Sequence, residues 1–200
     1  YRNLATAPTA ELTGLRVNNS SATGVTLTRP LRISGTLTMT SGIIRTDTVN
    51  LLTLGFNATN PGSLSYTAGH IVGPFKRWIS ASTGLRRFPM GNGAFLKNAD
   101  INFITQPLVG GTLTARWSTT APSFPNPIPL MEGTLIVNSV SNQGSWFIDA
   151  GDGLIGGNYT GAFTANGSAG IADFAKLVLI KRPSAGGIWT LNGTHVTTTG

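Results

Sequence analysis

The residues that could carry out acid–base or metal chemistry are few and widely separated in this sequence. The chain of 200 residues contains two histidines, His70 and His195, seven acidic residues and no cysteine. The lack of cysteine excludes a thiol nucleophile, a disulfide and a thiolate-bound metal within these residues. The Gly-x-Ser-x-Gly segment, which would expose a nucleophilic serine at a sharp turn, is also missing. We therefore predict a protein that is not an enzyme, with no catalytic residues, no metal and no cofactor.

One pair of carboxylates lies close together in the chain. Asp149 and Asp152 belong to the glycine-rich segment Asp149–Gly153, and carboxylates in such a turn could offer oxygen ligands to calcium. The segment lacks the third acidic residue of an EF-hand-like loop, and glycoside hydrolysis would need two carboxylates facing each other across a substrate. We interpret it as a solvent-facing turn, with a weak calcium site as the alternative.

The four tryptophans are the candidates for stacking on a sugar ring. Trp117 and Trp189 alternate with apolar neighbours, which predicts that both lie in the core. Trp146 and Phe147 are adjacent and must point to opposite faces of a strand. Trp146 and Trp78 are therefore the candidate aromatic residues of a ligand-binding surface.

Basic residues provide the second part of that candidate surface. The formal net charge is +7, from 14 basic and 7 acidic residues. Charged residues make up 10% of the chain, against about 25% in an average domain, so the positive balance reflects missing acids. Lys76-Arg77 and Arg86-Arg87 form a local concentration of positive charge. We predict no nucleic-acid partner, and we take Arg77 and Arg86 as candidate contacts to surface glycans, with solvated loop ends as the alternative.

The elements that must position these residues are predicted to be strands. Helical periodicity is nearly absent, and short alternating segments bounded by Gly, Asn, Ser and Thr dominate. Near the start, apolar residues recur every six positions. This track consists of Val25, Leu31, Leu37, Ile43 and Val49, and a second track two positions later consists of Leu27, Ile33, Met39, Arg45 and Leu51. Short strands at such spacing are typical of a parallel β-solenoid, here with 18 to 21 residues per turn; an ordinary meander of short strands is the alternative.

The later part of the chain has longer strands at wider spacing. The predicted strands are Ile101–Ile104, Leu113–Trp117, Gly133–Asn138, Ser145–Asp149, Tyr159–Thr164, Phe174–Arg182, Ile188–Leu191 and His195–Thr199. Alternating faces over such strands favour two packed antiparallel sheets. The predicted fold class is thus all-β, a short parallel β-solenoid with a junction in residues 1–80 followed by an antiparallel β-sandwich in residues 81–200. We expect these residues to be a segment of a longer chain.

Six short segments share motifs with a known family: His70–Arg77, Phe88–Gly91, Gly35–Ile44, Leu52–Gly55, Leu179–Arg182 and Trp189–Thr194. Together they resemble large secreted surface proteins of Bacteroidota. The resemblance implies a solenoid joined to a sandwich, an extracellular or cell-surface location and export by the type IX secretion route. Asp47-Thr48-Val49 is similar to the O-glycosylation acceptor of that phylum, which makes Thr48 a candidate glycosylation site.

These observations lead to one functional expectation and one alternative. We expect a non-catalytic extracellular structural or adhesive domain of a bacterial cell-surface or filamentous assembly. Its expected partners are copies of itself, through self-association or strand exchange, and surface glycans. The alternative is a carbohydrate-binding module of a secreted protein. No apolar run approaches the roughly 20 residues of a membrane span, so no membrane span is expected.

Overall fold

The structure, a computed structural model, describes residues 9–122, 130–171, 173–184, 186–191 and 194. Within these residues the chain is all-β, as the sequence predicts, with parallel and antiparallel sheets and a single short 3-10 turn, Phe174–Lys176. Nothing helical in the described ranges is long and apolar enough to reach across a membrane. The predicted strand His195–Thr199 lies outside the described residues.

A parallel ladder forms the first part of the fold. Its strands are β1 (Ala10–Asn18), β3 (Leu31–Ser41), β5 (Leu52–Leu54), β6 (Ser63–Tyr66) and β8 (Phe75–Ile79). Strand β3 pairs with β1 on one side and with both β5 and β6 on the other, and β5 continues to β8. Ala10 lies beside Leu31, Leu31 beside Leu52, and Leu52 beside Phe75. The first two steps are 21 residues, which is the upper end of the predicted 18 to 21.

A second parallel sheet contains three short strands. These are β2 (Val25–Thr26), β4 (Ile43–Arg45) and β7 (His70–Val72), in the order β2-β4-β7. Ile44 lies beside Val25 on one side and Ile71 on the other. Equivalent side chains from successive turns of the chain therefore stack in columns in both parallel sheets.

The six-residue track describes the buried positions only in part. Leu37 and Ile43 are buried, but Val25 is 43% exposed and Val49 is 64% exposed. The reason is that burial within β3 follows the two-residue alternation of a strand, so Ile33, Leu37 and Met39 are its buried side chains. Val49 instead lies in a turn stabilised by the Asp47 side chain, which accepts hydrogen bonds from the N–H groups of Val49 and Asn50.

Antiparallel pairs follow the parallel ladder. Strand β11 (Gly111–Ser118) pairs with β8, and β14 (Ser145–Gly151) follows β11 in the same sheet. A separate sheet has the order β15-β10-β9, with β9 at Gly84–Phe88, β10 at Ala99–Phe103 and β15 at Tyr159–Phe163. Strands β12 (Leu130–Glu132) and β13 (Leu135–Val137) form a two-stranded sheet.

The predicted strand Phe174–Arg182 is wrong. Its start is the 3-10 turn, and Lys181 forms an isolated bridge with Thr190. Asp173 explains the turn, because its side chain accepts a hydrogen bond from the Ala175 N–H at 3.0 Å and its carbonyl accepts one from the Lys176 N–H. Local capping of this kind competes with strand pairing.

The chain divides into two compact units. The first contains residues 1–118 and 146–166, and the second contains residues 119–145 and 167–200. This division differs from the domain boundary at residue 80, which the change in strand spacing predicts. The main core belongs to the first unit and includes Ile33, Leu54, Ile71, Phe75 and Phe88.

Glycines allow the chain to turn between stacked strands. Gly42 and Gly69 have φ values of +102° and +92°, which L side chains rarely adopt. They occupy equivalent corners, because Ile43 and His70, the residues that follow them, are paired. A Cβ on Gly69 would overlap the Gly42 carbonyl oxygen. Close stacking at this corner therefore requires glycine.

Candidate functional site

Trp146 is held in an aromatic cluster of the first unit. Its ring centroid lies 4.6 Å from that of Trp117 and 5.0 Å from that of Phe163. Its Nε1–H donates a hydrogen bond of 2.8 Å to the Lys97 carbonyl. Trp117, in turn, is 9% exposed, and the Lys97 ammonium lies 5.0 Å from its ring centroid. These contacts give Trp146 a packing role, which argues against stacking on a sugar.

The core prediction for the other pair of tryptophans is confirmed. Trp117 is buried in the first unit, as described above, and Trp189 is 7% exposed in the second unit. The Arg182 guanidinium lies 4.3 Å from the Trp189 ring centroid.

Trp78 and Arg77 lie on opposite faces of β8 because they are adjacent in a strand. The burial pattern of β8 alternates, with Phe75, Arg77 and Ile79 buried and Trp78 half-buried. From the sequence alone, Trp78 and Arg77 belong to one candidate surface. The structure separates them, so a single ligand cannot lie against both from one side of the strand.

Arg77 is a buried cation, with 6% of its surface exposed. Its Nη1–H donates a 2.7 Å hydrogen bond to the Arg87 carbonyl, and its guanidinium lies 5.7 Å from the Phe88 ring centroid. The pKa of Arg77 is lowered to about 10, mainly by burial and also by repulsion from Arg86, while Asp100 acts in the opposite direction. The alternation of Phe75-Lys76-Arg77-Trp78-Ile79 is the sequence signal that places Arg77 on the apolar face.

Arg86 and Arg87 have different partners. The Arg86 Nη2 donates to the Ser82 hydroxyl at 2.8 Å, and partial burial lowers its pKa. Arg87 forms a two-point ion pair with Asp100, with Nε to Oδ1 at 3.0 Å and Nη2 to Oδ2 at 2.7 Å. This hydrogen bonding raises the pKa of Arg87. Of the two, Arg87 is therefore the one already neutralised.

A small cavity brings some of these residues together. It has a volume of about 210 Å³ and is lined by Leu64, Tyr66, Arg77, Leu85 and Arg87. The Tyr66 hydroxyl donates a hydrogen bond to the Gly69 carbonyl at 2.9 Å, and the Arg87 guanidinium lies 5.2 Å from the Tyr66 ring centroid. Burial raises the pKa of Tyr66. Tyr66 is not among the candidates predicted from the sequence, although the alternation of Ser63-Leu64-Ser65-Tyr66 places Leu64 and Tyr66 on one face.

The two carboxylates of the candidate calcium turn have different surroundings. The Asp152 carboxylate pairs with the Lys76 ammonium at 2.6 Å and accepts a hydrogen bond from Thr112 Oγ1 at 2.7 Å. These two contacts lower the pKa of Asp152. Asp149 is exposed. The described residues contain no group of three or more side chains suited to hold a metal ion.

His70 is half-buried against the backbone of the next turn. Its Nε2 is buried without a hydrogen-bond partner, and a Cβ on Gly91 would overlap its ring. Burial lowers the pKa of His70, and the charge of Arg45 lowers it further. The second histidine, His195, lies outside the described residues, so no geometry relates the two imidazoles.

Thr48 is exposed in the Asp47 turn. The Asp47 carboxylate accepts hydrogen bonds from the N–H groups of Val49 and Asn50 and from the Asn50 side chain, and these bonds lower the pKa of Asp47. The hydroxyl of Thr48 is thus presented on a turn with a fixed backbone.

Comparison with family models, with curated proteins and with solved structures finds no match for this chain. The resemblance to secreted surface proteins of Bacteroidota therefore stays a hypothesis based on short segments.

Proposed function

We propose that this protein is a non-catalytic structural or adhesive β-domain of a bacterial cell-surface or filamentous assembly that works outside the cell. The observation that carries the proposal is the parallel ladder, in which Ala10, Leu31, Leu52 and Phe75 lie side by side at steps of 21, 21 and 23 residues. Stacked turns of this kind form rigid segments because each turn packs on its neighbours. In this proposal the ladder is a short β-solenoid and the antiparallel strands after it form a sandwich.

The first turn of the ladder offers a surface for self-association. Strands β1 and β2 are the first strands in the order of their sheets, and neither has a second partner strand among the described residues. Between them is a cavity of about 260 Å³ whose lining includes Leu15, Val17 and Val25. An edge strand with unpaired backbone groups beside apolar side chains can accept another strand. We propose that a second copy of the chain pairs here.

The test is the concentration dependence of assembly in three proteins: the unmodified chain, Val25→Lys and Val49→Lys. Both substitutions add one positive charge at an exposed valine, but only Val25 lines the cavity beside β1 and β2. We call this part of the ladder its open end because no further strand among the described residues pairs there. We expect light scattering to show growth in mass with concentration for the unmodified chain and for Val49→Lys. We expect Val25→Lys to remain monomeric, because a lysine at a strand edge opposes pairing.

Two outcomes would contradict this proposal. If the unmodified chain stays monomeric across the accessible concentration range, the proposed self-association is wrong. Equal assembly of Val25→Lys and Val49→Lys would show that the open end is not the contact.

The alternative function, a carbohydrate-binding module, is supported by a different observation. Two arginines and a tyrosine line one cavity, which suits an acidic sugar better than a neutral one. Trp146 contributes no stacking surface in this reading. Binding to acidic glycans on an array, with loss on Arg77 substitution, would favour the alternative.

Export by the type IX route and glycosylation at Thr48 complete the proposal, and the exposed hydroxyl of Thr48 is compatible with modification. Expression in a Bacteroidota host tests the glycosylation. We expect the unmodified chain, fused to a sorting domain of that route, to reach the medium with an added glycan mass that Thr48→Val lacks. Secretion without any difference in mass would remove the glycosylation proposal alone.

A further inference from the structure

Arg77 belongs to a column of side chains that stack on each other in successive strands of the parallel ladder. Arg77 is charged, whereas the other members of this column are aliphatic. In the parallel ladder, Leu12 lies beside Ile33, Ile33 beside Leu54, and Leu54 beside Arg77. Ile33 and Leu54 are fully buried. A buried cation is unfavourable unless its charge and its hydrogen-bond donors are compensated. The column therefore raises the question of what compensates Arg77.

The described residues compensate Arg77 incompletely. Its one hydrogen bond is the Nη1 donation to the Arg87 carbonyl, and its Nε is buried without a partner. It has no ion pair within the described part of the chain. The carboxylate whose charge reaches it, that of Asp100, is engaged on both oxygens by Arg87. Arg86 adds positive charge nearby. One anion at this place would compensate the charge of Arg77 itself.

The cavity has the lining that such an anion would need. Arg77 contributes an uncompensated positive charge, Arg87 is paired with Asp100, and Leu64, Leu85 and Tyr66 contribute apolar surface. A guanidinium presents its N–H donors in a planar fork that matches carboxylate and sulfate oxygens. Leu85 is 51% exposed, so the wall that it forms is accessible to a ligand from solvent.

We propose that this cavity binds one oxyanion group, a carboxylate or a sulfate, on a small ligand whose apolar part packs against Leu64, Leu85 and the Tyr66 ring. The oxyanion lies beside the Arg77 guanidinium and supplies the charge that the protein does not. The site is separate from the open end of the ladder, so it does not depend on the proposed self-association.

The structural alternative is that Arg77 only anchors β9. Its hydrogen bond to the Arg87 carbonyl and its contact with the Phe88 ring would then be its whole role. The two readings differ in one measurable respect: an anchor has no saturable response to an added anion.

The test titrates the full chain with acetate, glucuronate, sulfate and uncharged glucose at constant ionic strength set with sodium chloride. Arginine Nε–H signals in nuclear magnetic resonance spectra and the melting temperature report binding. Three variants accompany the unmodified chain. Arg77→Met removes the charge and keeps an unbranched stem, Arg77→Lys keeps the charge without the fork, and Arg29→Met removes an exposed cation as the matched control.

We expect a saturable shift of the Arg77 Nε–H signal with at least one oxyanion and none with glucose. Affinity should fall at least tenfold in Arg77→Met, fall less in Arg77→Lys and remain unchanged in Arg29→Met. Stronger binding of glucuronate than of acetate would identify an acidic sugar as the source of the carboxylate. A response to sulfate alone would identify a sulfate group.

Three results would overturn the proposal: equal responses to glucose and glucuronate, shifts that do not saturate, or equal affinities of Arg77→Met and Arg29→Met. If Arg77→Met fails to fold, the titration of the unmodified chain and of Arg77→Lys decides the question. The Val25→Lys variant should retain oxyanion binding even where it loses self-association.

Discussion

Trp146 and Trp78 have different surroundings, so their replacement should change the free energy of unfolding by different amounts. We expect Trp146→Ala to lower the free energy of unfolding by about 3 kcal/mol, because truncation of a packed tryptophan leaves a cavity. It also leaves the Lys97 carbonyl without the indole donor. We expect Trp78→Ala, at a half-buried position, to lower it by about 1 kcal/mol. Urea denaturation followed by circular dichroism measures both.

The reverse order of the two effects would contradict the packing role of Trp146. Trp146→Phe is a useful intermediate, since it keeps an aromatic ring in the cluster but removes the Nε1–H. The decrease in its free energy of unfolding should be smaller than that of Trp146→Ala but greater than zero.

His70 makes stability depend on pH. Its pKa is lowered in the folded protein by burial and by Arg45, so between the folded pKa and the ordinary value near 6.5 the unfolded chain binds more protons. Stability is therefore complete above about pH 6.5 and decreases as the pH falls below it. We expect the decrease between pH 7 and 5 to be smaller in His70→Gln, as measured by urea denaturation at each pH.

An identical slope in the two proteins would show that His70 does not contribute to this pH dependence. The pH dependence of the free energy of unfolding that remains in His70→Gln comes from the other titrating groups.

Sequence patterns predicted the burial of some single residues but not their partners, for a physical reason. The burial of Trp117 followed from its alternation with apolar neighbours. The pairing of Trp78 with Arg77 failed because adjacency in sequence means opposite faces in a strand. Arg87 and Asp100, which are 13 residues apart, form an ion pair only because β9 and β10 are antiparallel and place them side by side. Such partners are set by strand register, which local composition does not encode.

At the scale of elements, the corner between β4 and its neighbours depends on glycine. We expect Gly69→Ala to lower the free energy of unfolding by about 3 kcal/mol, because a positive φ and an overlap with the Gly42 carbonyl act together. Gly153→Ala is the matched control: its φ is +82°, and no atom lies within 4 Å of the added Cβ. We expect it to lose about 1 kcal/mol. Thermal and urea denaturation measure both losses.

Equal losses in the two alanine variants would show that the stacked corner is not tightly packed. The contrast tests the parallel stacking itself, because the contact with Gly42 exists only when successive turns lie directly on each other.

The strand elements were predicted better than their register. Alternation and turn residues indicated an all-β chain and located β10, β11, β14 and β15 closely. The six-residue track was misleading because β3 is one strand of 11 residues that contains two of its positions. A step of 21 residues between Ala10, Leu31 and Leu52 depends on pairing across the chain, and the strand Phe174–Arg182 failed because the Asp173 cap was not recognised.

At the scale of the whole molecule, the pairing pattern sets the speed of folding. Each parallel contact joins residues about 20 or more positions apart, and such distant pairing is slow because chain entropy must be lost before the contacts form. We expect refolding over milliseconds to seconds or longer. Stopped-flow tryptophan fluorescence measures it, and a double-jump protocol separates slow proline isomerisation in the unfolded chain. A single phase in microseconds would contradict the ladder.

The hydrogen bonds that join successive turns have a mechanical consequence. The Leu27 N–H donates to the Arg45 carbonyl, the Thr46 N–H donates to the Val72 carbonyl, and Thr46 Oγ1 reaches the Pro74 carbonyl at 2.7 Å. Tension applied across the turns would act on each pair of turns at once, and the pairs would separate one after another because each is held by its own few bonds. The first unit should therefore yield to a pulling force in small successive steps, lengthening gradually under load before it gives way entirely.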